Sequence, residues 1–229
     1  MKAASIWHGD GMARKRVAVL ISGRGSNMAA LIEAAKDKDF PAEIVLVVSN
    51  RPNAGGIALA RNAGIATTII DHTDYGKDRE AFERALQAVL EGSSVDIICL
   101  GGFMRLFSPW FIKQWEGRML NIHPALLPAF KGLHTHERAL SEGAREHGAT
   151  VHLVTLGMDE GPIVCQAAVP VIAGDTVETL AERVLTVEHK IYPLALKWVA
   201  ENKVRVVDGK SVVNDAQIPE GVTVPGAAA

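Results

Sequence analysis

From residue 16 to residue 100 short Val- and Ile-rich runs alternate with stretches of helical periodicity, and that alternation leaves few architectures open. The runs cover residues 17–22, 44–49, 67–70 and 95–100, and helical patterns lie between them at 27–36 and 55–62. A further helix is expected where Phe82, Ala85, Leu86, Val89 and Leu90 recur at i, i+3, i+4, i+7 and i+8. Strands with so few polar interruptions belong to a parallel sheet covered on both sides, joined by right-handed β-helix-β crossovers. After Asn121 the pattern changes: runs at 150–155 and 163–171 are separated by a Gly-Pro turn short enough for antiparallel pairing. A helical stretch at 176–199 contains Pro193, which is expected to kink or divide it. The expected fold is α/β: a Rossmann-like, mostly parallel sheet with helices on both faces and an antiparallel C-terminal part.

A chain of 229 residues with 48% apolar content fits one domain, placed at 16–214. Residues 1–15 read as a disordered extension and 215–229 as a flexible tail. Net charge is -2 with scattered Lys and Arg, so nucleic-acid binding is not expected. No run reaches the length of a membrane span and no signal-peptide core opens the chain, so no membrane association is expected. Cys99 and Cys165 lie inside apolar runs, which suits buried reduced thiols in the cytoplasm.

Three segments carry chemistry. In Met119-Leu120-Asn121-Ile122-His123-Pro124, an amide and an imidazole two residues apart on a strand end point to the same face. The proline holds His123 extended, and the pair suits a developing oxyanion on an acyl or formyl carbon if a third group sets the state of the ring. Asp159, in Met158-Asp159-Glu160-Gly161-Pro162, is the candidate for that third group and is expected to raise the His123 pKa. Each residue taken alone has a structural reading, a turn for Asp159 and strand-end packing for His123.

The turn Ser22-Gly23-Arg24-Gly25-Ser26-Asn27 delivers the chain into a helix, where free amides form a phosphate site. Met28 replaces the third glycine of the dinucleotide fingerprint, Ser49-Asn50 stands where an acidic ribose ligand would be, and no Gly-Lys-Ser/Thr follows. NAD is therefore not expected, and a monophosphate is. The third segment, Gly101-Gly102-Phe103-Met104-Arg105-Leu106-Phe107, could enclose a flat heterocycle, with Arg105 toward an anionic tail. Core packing is the alternative for its apolar side chains. His134, His136 and His123 lack the convergent ligands of an organised zinc site, so no metal is expected. His152 alternates along a strand toward Asp159 and either supports that carboxylate or is structural.

With these segments assembled, the chain closely resembles the phosphoribosylglycinamide formyltransferase family, folate-dependent enzymes of purine synthesis. The likeness runs from Val17 to about Val213. It is carried by residues 21–27, Gly102-Phe103-Met104-Arg105, Asn121-Ile122-His123-Pro124-Ala125-Leu126-Leu127-Pro128, Lys131-Gly132-Leu133-His134-Thr135-His136, Asp159-Glu160-Gly161-Pro162 and Glu188-His189-Lys190-Ile191-Tyr192-Pro193. The Asn, His, Asp set also recurs in methionyl-tRNA formyltransferases and formyltetrahydrofolate hydrolases, and the phosphate loop narrows the substrate. The resemblance implies a formyltransferase fold with Asn121, His123 and Asp159 catalytic. It implies Gly25, Ser26 and Asn27 on the ribonucleotide phosphate, with Pro124, Leu185, Thr186, Val187 and Glu188 near its sugar and glycinamide. Leu185 stands where the family commonly has Lys or Gln. Around the pterin it implies Met104, Arg105, Leu106, Phe107, Asn121, Thr155, Leu156, Gly157, Met158 and Asp159, with Arg79 toward the glutamate tail. The cosubstrate implied is 10-formyltetrahydrofolate, the partners are small molecules, and a homodimer is compatible with the reading. The alternatives are a formyltetrahydrofolate hydrolase, for whose N-terminal regulatory domain the residues before strand one leave no room, and a non-catalytic nucleotide-phosphate binder.

Overall fold

The computed structural model describes residues 13–225. Its elements are β1 (Lys15–Ile21), α1 (Ser26–Ala34), β2 (Ala42–Ser49), α2 (Gly56–Asn62), β3 (Ala66–Ile69), a 3-10 turn (His72–Tyr75), α3 (Arg79–Gly92), β4 (Ile97–Gly101), α4 (Pro109–Gln114) and β5 (Met119–His123). They continue as α5 (Thr135–Ser141), β6 (Glu146–Leu153), β7 (Ile163–Pro170), α6 (Val177–Ala200), β8 (Val204–Val207), β9 (Lys210–Val213) and β10 (Val222–Thr223).

Eight strands form one sheet in the order β10-β7-β6-β5-β4-β1-β2-β3. The pairings from β3 to β5 are parallel, and those from β5 to β10 are antiparallel. Side chains of β1 alternate between two cores, as a period of two requires: Val17, Val19 and Ile21 pack with α1, α2 and α6, and Ala18 and Leu20 with α3 and α4. β1 has β2 on one side and β4 on the other, so strand order reverses there and opens a crevice at the strand carboxyl ends. The loop after β1 and the loop after β4 flank that crevice.

The expected α/β architecture with its change to antiparallel pairing is present. Three expectations are corrected. β1 begins at Lys15, and Arg14 donates to the carbonyls of Ala42 and Ala35, so the end of the supposed disordered extension is part of the sheet. Residues 1–12 lie outside the described residues. The tail expected to be flexible from 215 supplies β10, which pairs Val222 with Ala167 and Thr223 with Gln166; residues 226–229 lie outside the description. Pro193 does not divide α6, which runs as a single helix from Val177 to Ala200. Burial accounts for this, since Ile191, Tyr192, Ala195 and Leu196 are fully buried around the proline and hold the helix over the missing hydrogen bond. The Tyr192 hydroxyl donates to Leu100 O at 2.9 Å and lies 3.3 Å from Leu120 O, tying α6 to β4 and β5. Cys99 and Cys165 are free and buried, and burial pushes both thiols up to about 12. Among the described residues no helix is long and apolar enough to cross a membrane.

Candidate active site at the strand carboxyl ends

Asn121 and His123 project from the same face of β5 into a cavity of roughly 550 Å³. His123 Nε2–H donates to the Phe130 carbonyl at 2.9 Å, which leaves Nδ1 facing Asp159, whose Oδ2 is 3.5 Å away. Asp159 arrives on the loop between β6 and β7 in a left-handed conformation, φ 55°, which Asp tolerates better than most residues. Its Oδ2 accepts the Gly132 amide at 2.8 Å, and Lys131 Nζ meets Glu160 Oε1 at 2.9 Å, so the two loops are joined twice. Gly161 lets this loop re-enter the sheet, because a Cβ there would lie 1.7 Å from Leu153 O. The register that opposes Asn121 to His152 brings a third polar side chain in: Asn121 Nδ2 is 3.1 Å from His152 Nε2, and that nitrogen is 3.7 Å from Asp159 Oδ1. His152 Nδ1 is 3.0 Å from Leu153 O, a carbonyl that can only accept, so Nδ1 carries a proton.

Asp159 does push the His123 pKa up, as expected, but the net shift is downward. Burial is the largest influence and pushes its pKa below the ordinary histidine value; the Phe130 carbonyl and Asp159 push it up by less. The ring is therefore neutral near pH 7. Burial also pushes the Asp159 carboxyl up, yet His152, the Gly132 amide and His123 together outweigh it and hold the group below its ordinary range. The site thus pairs an ionised carboxylate with a neutral imidazole whose Nδ1 faces it.

Beside the cavity, Gly25 is the N-cap of α1 at φ 76° and provides no side-chain cap for the first amides of the helix. A Cβ on Gly25 would meet Gly56 Cα at 3.0 Å, and the Gly56 amide donates to Gly23 O at 3.0 Å, which packs α2 directly against the loop. Asn27 Nδ2 donates to Glu188 Oε2 at 2.8 Å, and Asn27 Oδ1 is buried without a partner. Burial raises the Glu188 carboxyl pKa and Asn27 only partly opposes it. Asn27 and Glu188 line the cavity; Gly25, Ser26, Leu185, Thr186 and Val187 do not. Thr186 Oγ1 instead donates back to Arg183 O at 2.7 Å, within its own helix.

At the other end, Met104, Arg105, Leu106 and Phe107 face Thr155, Leu156, Gly157, Met158 and Asp159 across the opening, with Pro124 beside His123. Met104, Leu106, Leu133, Leu156 and Met158 are more than half exposed and form an apolar rim left uncovered by the described residues. The Arg105 guanidinium lies 5.1 Å over the Phe82 ring, and its Nε is buried without a hydrogen-bond partner among the described residues. Arg79, the first residue of α3, is exposed and does not line the cavity. Sequence reasoning missed the Phe130 carbonyl and the Asn121 to His152 contact. The first is a main-chain atom with no residue-type signal, and the second needs the β5 to β6 register. Gly132 to His136 also line the cavity, and His136 Nδ1 lies 3.1 Å from His147 Nε2. Among the described residues no group of three or more His, Cys, Asp or Glu could hold a metal ion.

A strand-end amide, a neutral imidazole and an ionised carboxylate converge between an uncapped helix start and an apolar slot, an arrangement whose chemistry suits transfer at an acyl-type carbon. The chain belongs to the formyl transferase family, whose profile matches residues 15–196, and within it to the phosphoribosylglycinamide formyltransferases. It is 42% identical to the phosphoribosylglycinamide formyltransferase of Escherichia coli, over 89% of this chain and 95% of that protein. A solved phosphoribosylglycinamide formyltransferase from Brucella melitensis is 56% identical with a TM-score of 0.79, over 86% of this chain and all of that one. The trifunctional purine biosynthetic protein adenosine-3 of Bos taurus is 52% identical over 84% of this chain, which spans only 19% of that relative.

Proposed function

We propose that the protein transfers the formyl group of 10-formyltetrahydrofolate to the amine of 5-phosphoribosylglycinamide, giving formylglycinamide ribonucleotide and tetrahydrofolate in purine synthesis. The observation that carries this is the convergence of Asn121, His123 and Asp159 on one cavity that runs from Asn27 and Glu188 to the apolar slot. The family assignment and the two full-length likenesses support the acceptor.

In this reading the ribonucleotide phosphate rests on the amides of Gly25, Ser26 and Asn27, with Glu188 beside the sugar and glycinamide. The folate ring enters the slot between residues 104–107 and 155–159. The amine attacks the formyl carbon, a new C–N bond forms and the carbonyl electron pair moves to oxygen. Asn121 Nδ2 is the donor for that oxyanion. The nitrogen that has attacked must lose a proton, and the His123 Nδ1 lone pair takes it. The imidazolium so formed is matched by the Asp159 carboxylate, whose Oδ2 lies 3.5 Å from Nδ1. The tetrahedral centre then collapses, the bond to the folate nitrogen breaks, and that nitrogen receives the proton from His123. Asp159 thus acts on the transient charged ring rather than on the resting one. A cytoplasmic setting agrees with two buried free thiols.

The test mixes purified protein with glycinamide ribonucleotide and 10-formyltetrahydrofolate and follows release of tetrahydrofolate and formylation of the amine. Release that depends on the ribonucleotide is the expected result. Release without it would make the protein a hydrolase, and binding without turnover a nucleotide-phosphate binder.

A further inference from the structure

We propose that Ser22 is a positioning residue for the folate wall: its hydroxyl pins the Met104 amide and so ties the phosphate-loop end of the cavity to the slot at the other end. The inference rests on the reading of residues 103–107 as the pterin wall.

Ser22 follows β1 and precedes the glycine loop; its side chain is buried and does not line the cavity. A serine hydroxyl has one proton and two lone pairs. Here the proton goes to Asn50 Oδ1 at 2.5 Å, and a lone pair accepts the Met104 N–H at 2.9 Å, across 82 residues of sequence. Asn50 is itself buried at the end of β2 and is held by His72, whose Nδ1 lies 2.8 Å from Asn50 O. The Asn50 side-chain Nδ2 lies 3.3 Å from the same His72 nitrogen.

The wall has little else to hold its main chain. Among the described residues, 103–107 make no main-chain to main-chain hydrogen bond. Its far end is fixed where the Ser108 amide donates to Glu83 Oε1 at 2.6 Å, and its aromatic side is braced by Phe107, 5.5 Å from Phe103 and 4.6 Å from Phe111. Met104, whose side chain is 58% exposed at the cavity mouth, is the residue on the near end. Without the Ser22 hydroxyl its amide would lose its partner and the near end would drift. Because the next residue, Gly23, accepts the Gly56 amide, Ser22 sits where the phosphate loop and the wall share one anchor.

The experiment compares wild type, Ser22→Ala and Ser22→Thr by steady-state kinetics in both substrates and by NMR amide exchange at Met104. Loss of one hydrogen bond of ordinary net worth corresponds to roughly a three- to tenfold change. For Ser22→Ala we expect a rise of that size in KM for 10-formyltetrahydrofolate, faster Met104 exchange, kcat within about twofold of wild type and a smaller change in ribonucleotide KM. Ser22→Thr, which keeps the hydroxyl, should restore slow exchange. Unchanged folate KM and exchange would overturn the proposal, as would equal rises in both KM values with a general loss of stability. Should Ser22→Ala not fold, Asn50→Ala, which frees the hydroxyl to turn, is expected to move the same two readouts in the same direction, and no movement overturns the pin. If wild type shows no formyl transfer, the functional reading fails, while the Met104 exchange comparison still decides the role of Ser22.

Discussion

His123 stands between opposed influences: burial disfavours its charged form, while the Phe130 carbonyl and Asp159 favour it. Since burial is the largest, the protonated ring accumulates only below the usual histidine range, and the base form is ready at neutral pH. Activity should therefore hold as pH falls toward 6.5 and decline below it, as His123 binds a proton before the substrate can supply one. Removing the Asp159 charge takes away an upward influence, so Asp159→Asn should lower the His123 midpoint further. The acid limb then moves to lower pH even as maximal turnover collapses, because the imidazolium of the transition state loses its counter-charge. An unchanged His123 midpoint in an NMR titration would reject this coupling. Asn121→Ala removes one oxyanion donor, and a loss of roughly a hundredfold in kcat with both ligands still binding is expected; near-full turnover would remove Asn121 from the mechanism.

The contact between the phosphate loop and the start of α2 is made by Gly25 and Gly56, and only Gly25 also needs a left-handed backbone. Gly25→Ala combines a backbone penalty of about 1–2 kcal/mol with a Cβ crowded against Gly56. The expected outcome is a raised KM for the ribonucleotide, a lowered Tm and little change in folate KM, measured by kinetics and thermal melts. Behind α5, His147 is fully buried against His136 and stacks edge-on to Phe130 at 5.7 Å. Burial is the main cause of its pKa falling from 6.5 to about 4, with His136 and His123 adding to it. A group depressed in the folded state contributes stability above its unfolded pKa and loses it as pH falls through the folded one. Stability should accordingly decline between pH 6.5 and about 4, by up to about 3 kcal/mol from this residue. His147→Gln should flatten that part of the stability-pH curve in urea unfolding, and an unaltered slope would place the effect elsewhere. At this scale the strands of the first half were legible because their apolar runs have no competing period. Pro193 misled because its local cost is countered by tertiary burial, and the β10 pairing was hidden in a Gly- and Pro-rich stretch whose partner strand lies more than fifty residues away.

Across the whole molecule, the change from parallel to antiparallel pairing at β5 decides which polar groups meet. The changed apolar pattern after Asn121 and the Gly-Pro turn pointed to such a change, and the two segments proposed as catalytic were legible as motifs. Their convergence with His152 was not, because register is a property of the assembled sheet. Arg79 was placed too near the cavity, which it does not line, whereas Arg105 lines it with its guanidinium over the Phe82 ring. Tyr192 joins the scales, since its hydroxyl links α6 to the ends of β4 and β5 behind the cavity. Tyr192→Phe leaves buried carbonyls without that donor, and a loss of about 1–3 kcal/mol is expected in urea unfolding; a variant as stable as wild type would show that the linkage is not needed.

The oxygen that receives His123 Nε2–H belongs to the main chain of Phe130, which adopts φ 53°. No exchange of the side chain at that position deletes the oxygen, so a scan by alanine would pass over the group that decides which ring nitrogen is left bare. Only an altered peptide linkage, such as an ester or thioamide placed there by chemical synthesis, would expose the carbonyl's part in the chemistry.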